Sequence, residues 1–146
     1  MKAARTPKLL QAHEVKDFML AGNAILSFQS TETNAYLTYR IVKDEDKDLW
    51  YVKTLTRPNN TKDYTYLGTL YVNGLNQVIY RHGKNSPISA NAKTSIVIDW
   101  AVRRLERPDV LQKILIRHEG YCCKCGKMLT TPESIERGRG PVCAKL

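Results

Sequence analysis

The chain has 146 residues, enough for one sizeable hydrophobic core with a small appendage and too few for two large domains. Its composition is that of an ordinary globular protein, with no apolar run near the roughly 20 residues a membrane helix needs and no repeat or low-complexity tract. Lys and Arg number 23 against 14 Asp and Glu, and the resulting charge of +9 favours polyanionic partners, either nucleic acid or an acidic protein face.

Residues 1–8 (MKAARTPK) are basic, contain Pro7 and lack apolar periodicity, so they are expected to form a flexible arm. From Leu9 to Ala21, the residues Leu9, Leu10, Val15, Phe18, Met19 and Leu20 recur at helical spacing among charged neighbours, and Gly22-Asn23 supplies a stop. His13 lies in this predicted helix without a partner and reads as a surface residue.

The period then changes. Segments 24–30, 35–42, 49–56, 64–72 and 77–81 are rich in β-branched and aromatic residues, and turn clusters separate them. They predict an antiparallel β-meander of about five strands. In the second, Ala35, Leu37, Tyr39 and Ile41 share one face, while Tyr36, Thr38, Arg40 and Val42 share a wetter one. The acidic turn Asp44–Asp48 lacks the glycine and distal glutamate of a calcium loop, so it reads as a solvated hairpin. Ser89 is placed to cap a helix over about residues 90–107, whose stripe of Val97, Ile98, Ala101, Val102 and Leu105 should cover the sheet. Arg103, Arg104 and Arg107 crowd its last turn, where cations suit the helix dipole as well as they would suit a phosphate. After Pro108, the alternation over residues 114–117 predicts a strand leading into His118.

All four cysteines fall in the tail: Cys122-Cys123-Lys-Cys125-Gly126, then Gly138-Arg-Gly-Pro-Val-Cys143. A Cys-x-x-Cys-Gly turn with a distant third thiol and a preceding histidine matches what tetrahedral zinc needs from a backbone. The favoured set is His118, Cys122, Cys125 and Cys143, with Cys123 as the alternative to His118. Three thiolates and an imidazole saturate the ion, so the zinc is expected to be structural. Thr131-Pro-Glu-Ser-Ile-Glu-Arg-Gly138 reads as a miniature helix, and the whole as a treble-clef or zinc-ribbon-like module. The expected organisation is therefore α+β: the arm (1–8), a meander covered by a helix (9–108), and a zinc-binding module (109–146). Nothing at the N-terminus reads as a signal peptide, so a reducing, cytoplasmic setting is expected.

These motifs resemble a module of an uncharacterised family of small bacteriophage and mobile-element proteins. The family order of a histidine, Cys-x-x-Cys-Gly, Leu-Thr-x-Pro-Glu-Ser-Ile and Gly-x-Gly-Pro-x-Cys is met here by His118, Cys122–Gly126, Leu129–Ile135 and Gly138–Cys143. The likeness also extends upstream through Tyr51–Thr56, Asp63–Gly68 and Trp100. It implies the same four zinc ligands and a bacterial host cell, but no activity, and the Cys122-Cys123 pair departs from the family pattern.

No phosphate-binding glycine loop, metalloprotease motif, nucleophile elbow or paired carboxylate frame occurs, so the chain is not expected to be an enzyme or to take a small-molecule substrate. Stoichiometric binding remains. In one version the protein occupies a site on a host nucleic-acid machine such as a CRISPR effector. As a basic inhibitor it would not mimic DNA there. In the other it is a sequence-tolerant DNA- or RNA-binding accessory protein, with Arg103, Arg104, Arg107, Lys124, Lys127, Arg137 and Arg139 as candidate contacts and tyrosines such as Tyr36 or Tyr121 stacking on bases.

Overall fold

A computed structural model describes residues 8–30, 36–56, 63–129, 135, 136 and 138. Its centre is one antiparallel sheet of β1 (Lys8–Leu9), β2 (Asn23–Gln29), β3 (Tyr36–Lys43), β4 (Leu49–Leu55), β5 (Tyr64–Val72), β6 (Val78–His82) and β7 (Leu115–His118). The spatial order is β1-β7-β2-β3-β4-β5-β6. The five predicted strands are the consecutive run β2 to β6, and the predicted strand before His118 is β7. The architecture is α+β, a mostly antiparallel sheet with a few helices.

The long predicted N-terminal helix is broken up. Leu9 pairs with Arg117 in β1, a 3-10 turn follows at Ala12–Glu14, and only Val15–Met19 is α-helical (α1). The apolar spacing was correctly placed in that short piece, since Val15, Phe18 and Met19 are buried. The covering helix is α2 (Lys93–Val102), with Ile98, Ala101 and Val102 buried, and Leu105 is buried just beyond it. Ser89 does not cap it. Its hydroxyl accepts the Asn91 N–H at 3.1 Å in a turn one step earlier, and α2 starts after Ala92. A last short helix, α3 (Pro108–Leu111), takes proline in its first turn, where no amide partner is lost.

The connection from β6 back to β7 fixes the layer order. Returning across five strand spacings of about 4.8 Å means crossing roughly 24 Å of sheet, and α2 supplies about 15 Å of that while burying its stripe on the way. One sheet face carries Leu26, Phe28, Tyr39, Ile41, Trp50, Val52 and Leu70 and meets α1, α2 and α3 in a single core cluster. Tyr39 donates its hydroxyl to the Thr94 carbonyl at 2.5 Å, and the Thr54 and Thr94 hydroxyls lie 2.8 Å apart, which ties α2 to β3 and β4. As expected, Tyr39 and Ile41 turn inward and Tyr36 outward.

A bulge interrupts the β4–β5 ladder. Val52 pairs with Gly68 and Lys53 with Tyr66, leaving Leu67 as the extra residue, fully buried in the core. In a regular strand Tyr66 and Tyr71 would point to opposite faces, because five residues separate them. The bulge brings both to the face away from the helices, where Tyr66 is opposite Lys53 and Tyr71 opposite Leu49.

Candidate metal centre and basic surface

The tail hairpin grows directly out of β7. Leu26 of β2 pairs with His118, and beyond it Glu119 N–H reaches the Ile25 carbonyl. The chain then folds back: Leu129 N–H donates to Gly120 O, Tyr121 bridges Met128, and Cys122 N–H donates to Lys127 O at 2.8 Å. Inside this hairpin, Gly126 N–H closes on Cys122 O at 2.9 Å, and Lys124 N–H points at Cys122 Sγ at 3.4 Å. Gly126 has φ +79°, a left-handed conformation that glycine adopts at little cost. Backbone amides directed at a sulfur favour its thiolate form, as a metal ligand requires.

The adjacent cysteines diverge. Cys122 is buried with Leu129 and Ile135 in a small cluster of the hairpin, whereas Cys123 is buried in the main core. Backbone bonds hold that arrangement: Asn23 N–H donates to Cys123 O and Cys123 N–H to Gly138 O, at 2.8 and 2.9 Å. Cys125 is exposed on the turn. The three cysteines thus lie near one another, with Cys122 in the hairpin cluster, Cys123 in the main core and Cys125 exposed.

His118 is fully buried, its ring stacked 5.9 Å from that of Phe18. Its Nε2–H donates to the Ile135 carbonyl at 2.6 Å, and its Nδ1 accepts the Gly120 N–H at 3.0 Å. Burial holds the imidazole below the usual histidine range, overriding the Ile135 carbonyl and nearby carboxylates that pull the other way. It is therefore held in the neutral Nε2–H form, and its one basic lone pair, on Nδ1, accepts the Gly120 N–H. Thiols separated by two residues on a turn suit zinc by type. The histidine fits in tautomer, with an outer N–H held by a carbonyl as metal-bound imidazoles commonly are, but Nδ1 already has a backbone donor. Among the described residues no three His, Cys, Asp or Glu side chains are grouped to hold an ion, and Cys143 lies outside those residues.

The predicted cationic contacts divide into three groups. Arg103 is paired with Asp99 at 3.0 Å, Arg104 lies 4.5 Å over the Trp100 ring and donates to Trp100 O, and Arg107 reaches Asp109 at 3.5 Å. Each has a local structural partner, and the Arg107 guanidinium in turn holds the Asp109 carboxyl below its ordinary range. Lys124 and Lys127 are exposed on the hairpin. Arg137 and Arg139 lie outside the described residues, as does most of the predicted miniature helix.

Two features escape a reading of the sequence. Glu119 is 1 % exposed, and its carboxylate accepts the Tyr36 hydroxyl at 2.9 Å, with the Arg117 guanidinium 3.8 Å away and lying over the Tyr36 ring. This set joins β7 to β3 across β2 and already occupies Tyr36, one of the expected stacking residues. The second is the helix-free sheet face, where Arg40 sits directly opposite Lys53. His82 is bound at both nitrogens, by the Tyr80 hydroxyl and the Ile88 carbonyl, each at 2.8 Å. His13 is exposed, as expected.

Residues 116–146 match the model of a family of unknown function (DUF6011), a span that begins inside β7 and takes in the histidine and all four cysteines. No curated protein and no solved structure matches the chain. No helix among the described residues is long and apolar enough to cross a membrane.

Proposed function

We propose that this protein is non-catalytic and works by stoichiometric binding to a nucleic-acid machine, with a tail folded by structural zinc. The Cys122–Cys125 turn carries the reading: its left-handed Gly126, its closing Gly126–Cys122 bond and the amide directed at Cys122 Sγ are what a zinc knuckle would use. Cys122, Cys125, His118 and Cys143 would hold the ion. Zinc so bound would contribute on the order of 10 kcal/mol to folding a hairpin whose own buried cluster is small.

The resemblance to phage and mobile-element proteins supports a host effector, such as a CRISPR nuclease, as the machine engaged in a bacterial cytoplasm. The charge of +9 supports docking on an acidic protein surface or on bound nucleic acid, because an inhibitor imitating DNA would be acidic. A second reading, direct and sequence-tolerant binding of DNA or RNA, is favoured by the face-to-face cations on the helix-free sheet face.

Metal analysis of the native protein tests the common ground. One zinc per chain, lost in Cys125→Ser and kept in Cys123→Ser, is the expected result. A metal-free native protein, or zinc unaffected by Cys125→Ser, overturns the knuckle. Pull-down of purified effectors before and after nuclease treatment separates the two readings: a nuclease-resistant complex supports the protein-docking one, and a complex that requires nucleic acid supports direct binding.

A further inference from the structure

The helix-free face of β3 to β6 has an unusual population. Arg40 and Lys53 are paired directly across strands, and Tyr66 is opposite Lys53 on the next strand. One row along, Tyr51 pairs with Thr69, which in turn pairs with Arg81, and Arg81 lies 5.3 Å over the ring of Tyr71. Arg81 is exposed, and Arg40, Tyr51, Lys53, Tyr66 and Tyr71 are half-buried.

Like charges directly opposite on neighbouring strands destabilise a sheet. Arg40 finds only a neutral acceptor, Asn23 Oδ1 at 3.1 Å, and among the described residues neither Arg40, Lys53 nor Arg81 has an ion pair. Arg117, by contrast, is matched by Glu119. The core cluster and its helices lie on the other side, so these aromatics are not needed to fill it. The turn after β3 is acidic, and Asp44 there accepts the Tyr51 hydroxyl at 2.5 Å, while Glu119, beside the Ile25 that pairs with Arg40, is buried and engaged by Tyr36 and Arg117. A polyanion would therefore cross the strands along Arg40, Lys53 and Tyr66, a row farther from that turn than the one holding Tyr51 and Arg81.

Resting on the direct-binding reading, we propose that this face is a platform for single-stranded nucleic acid. Arg40 and Lys53 take the phosphodiester backbone, and Tyr66 offers its π-face to an unstacked base, whereas the Tyr71 ring is already covered by Arg81. Charge complementarity and aromatics set among cations are what sequence-tolerant single-strand binders combine. A duplex keeps its bases stacked inside and so could use the cations but not the ring. The arginines at the end of α2 belong to the opposite layer and take no part.

The test is fluorescence anisotropy of labelled oligo-dT, oligo-rU and a duplex of equal length against salt, with thermal melts of each variant. Wild-type protein should prefer the single strands. Arg40→Gln/Lys53→Gln should weaken binding and flatten the log–log salt slope by about 1.4, two contacts at about 0.7 each. Relief of the like-charge pair should leave its melting temperature unchanged or raised, so that lost binding is not lost folding. Tyr66→Ala should weaken single-strand binding roughly 5- to 100-fold and leave duplex binding unchanged. Unaltered binding in these variants, with loss in an Arg103→Gln/Arg104→Gln/Arg107→Gln triple, overturns the platform while direct binding stands. Tighter duplex than single-strand binding overturns the choice of polymer. No binding by wild-type protein at physiological salt overturns the direct-binding reading and the platform together.

Discussion

Gly126 shows how far a single residue could be read in advance. Its place after Cys-x-x-Cys marks a turn, and the turn is there, with φ +79° and an added Cβ only 2.5 Å from Asn23 Nδ2. Gly126→Ala is thus expected to lower stability by about 1–2 kcal/mol, the usual cost of a left-handed non-glycine residue, seen as a lower melting temperature. The two neighbouring thiols were harder to separate, because adjacent residues on a hairpin can exchange roles with a small rotation. Their packing separates them: Cys123 is buried in the main core and Cys122 in the small hairpin cluster. Glu119 could not have been found this way. Its burial depends on Tyr36 and Arg117, which only the sheet brings together.

At the scale of elements, periodicity identified the strands and α2, whereas features that depend on backbone geometry stayed hidden. Ser89 looked like a cap yet bonds into a turn of its own, and in Tyr64–Val72 only Gly68 hints at the irregularity beside it, the bulge at Leu67 that decides where Tyr66 points. The α2 layer hangs on Tyr39, whose hydroxyl reaches Thr94 O. Tyr39→Phe is expected to cost about 1 kcal/mol, measured by urea unfolding. Burial also pushes the Tyr39 and Tyr80 phenols well above the ordinary tyrosine range. The unfolded chain gives up these protons first, so their contribution to stability is complete below about pH 10 and is lost as pH rises toward the folded values. In an alkaline titration, part of the tyrosinate absorbance should appear only as circular dichroism reports unfolding.

The whole molecule is less divisible than its sequence suggests. Composition changes after Pro108, and a separate tail module from residue 109 is a natural expectation, yet β7 lies between β1 and β2, and Leu111 and Ile116 are buried in the same core as α2. A chain ending at Pro108 is therefore expected to lose cooperative thermal unfolding and to elute as aggregate on size-exclusion chromatography. The register of β7 against β2 could not be read locally, because only the return path under the sheet dictates it. A compact, monomeric truncated protein would show that the meander can stand alone.

The strand order also has a consequence for how the protein is made. β2 leaves the ribosome before β7, its partner on one side, and residues 30–114 must be synthesised in between. At about 5–20 residues per second this takes roughly 4–17 s. For that interval the nascent chain presents an unpatched row of amides and carbonyls, and another copy can fill it as readily as the missing strand. Refolding yield should accordingly fall with protein concentration, and a chaperone that shields nascent chains should restore it.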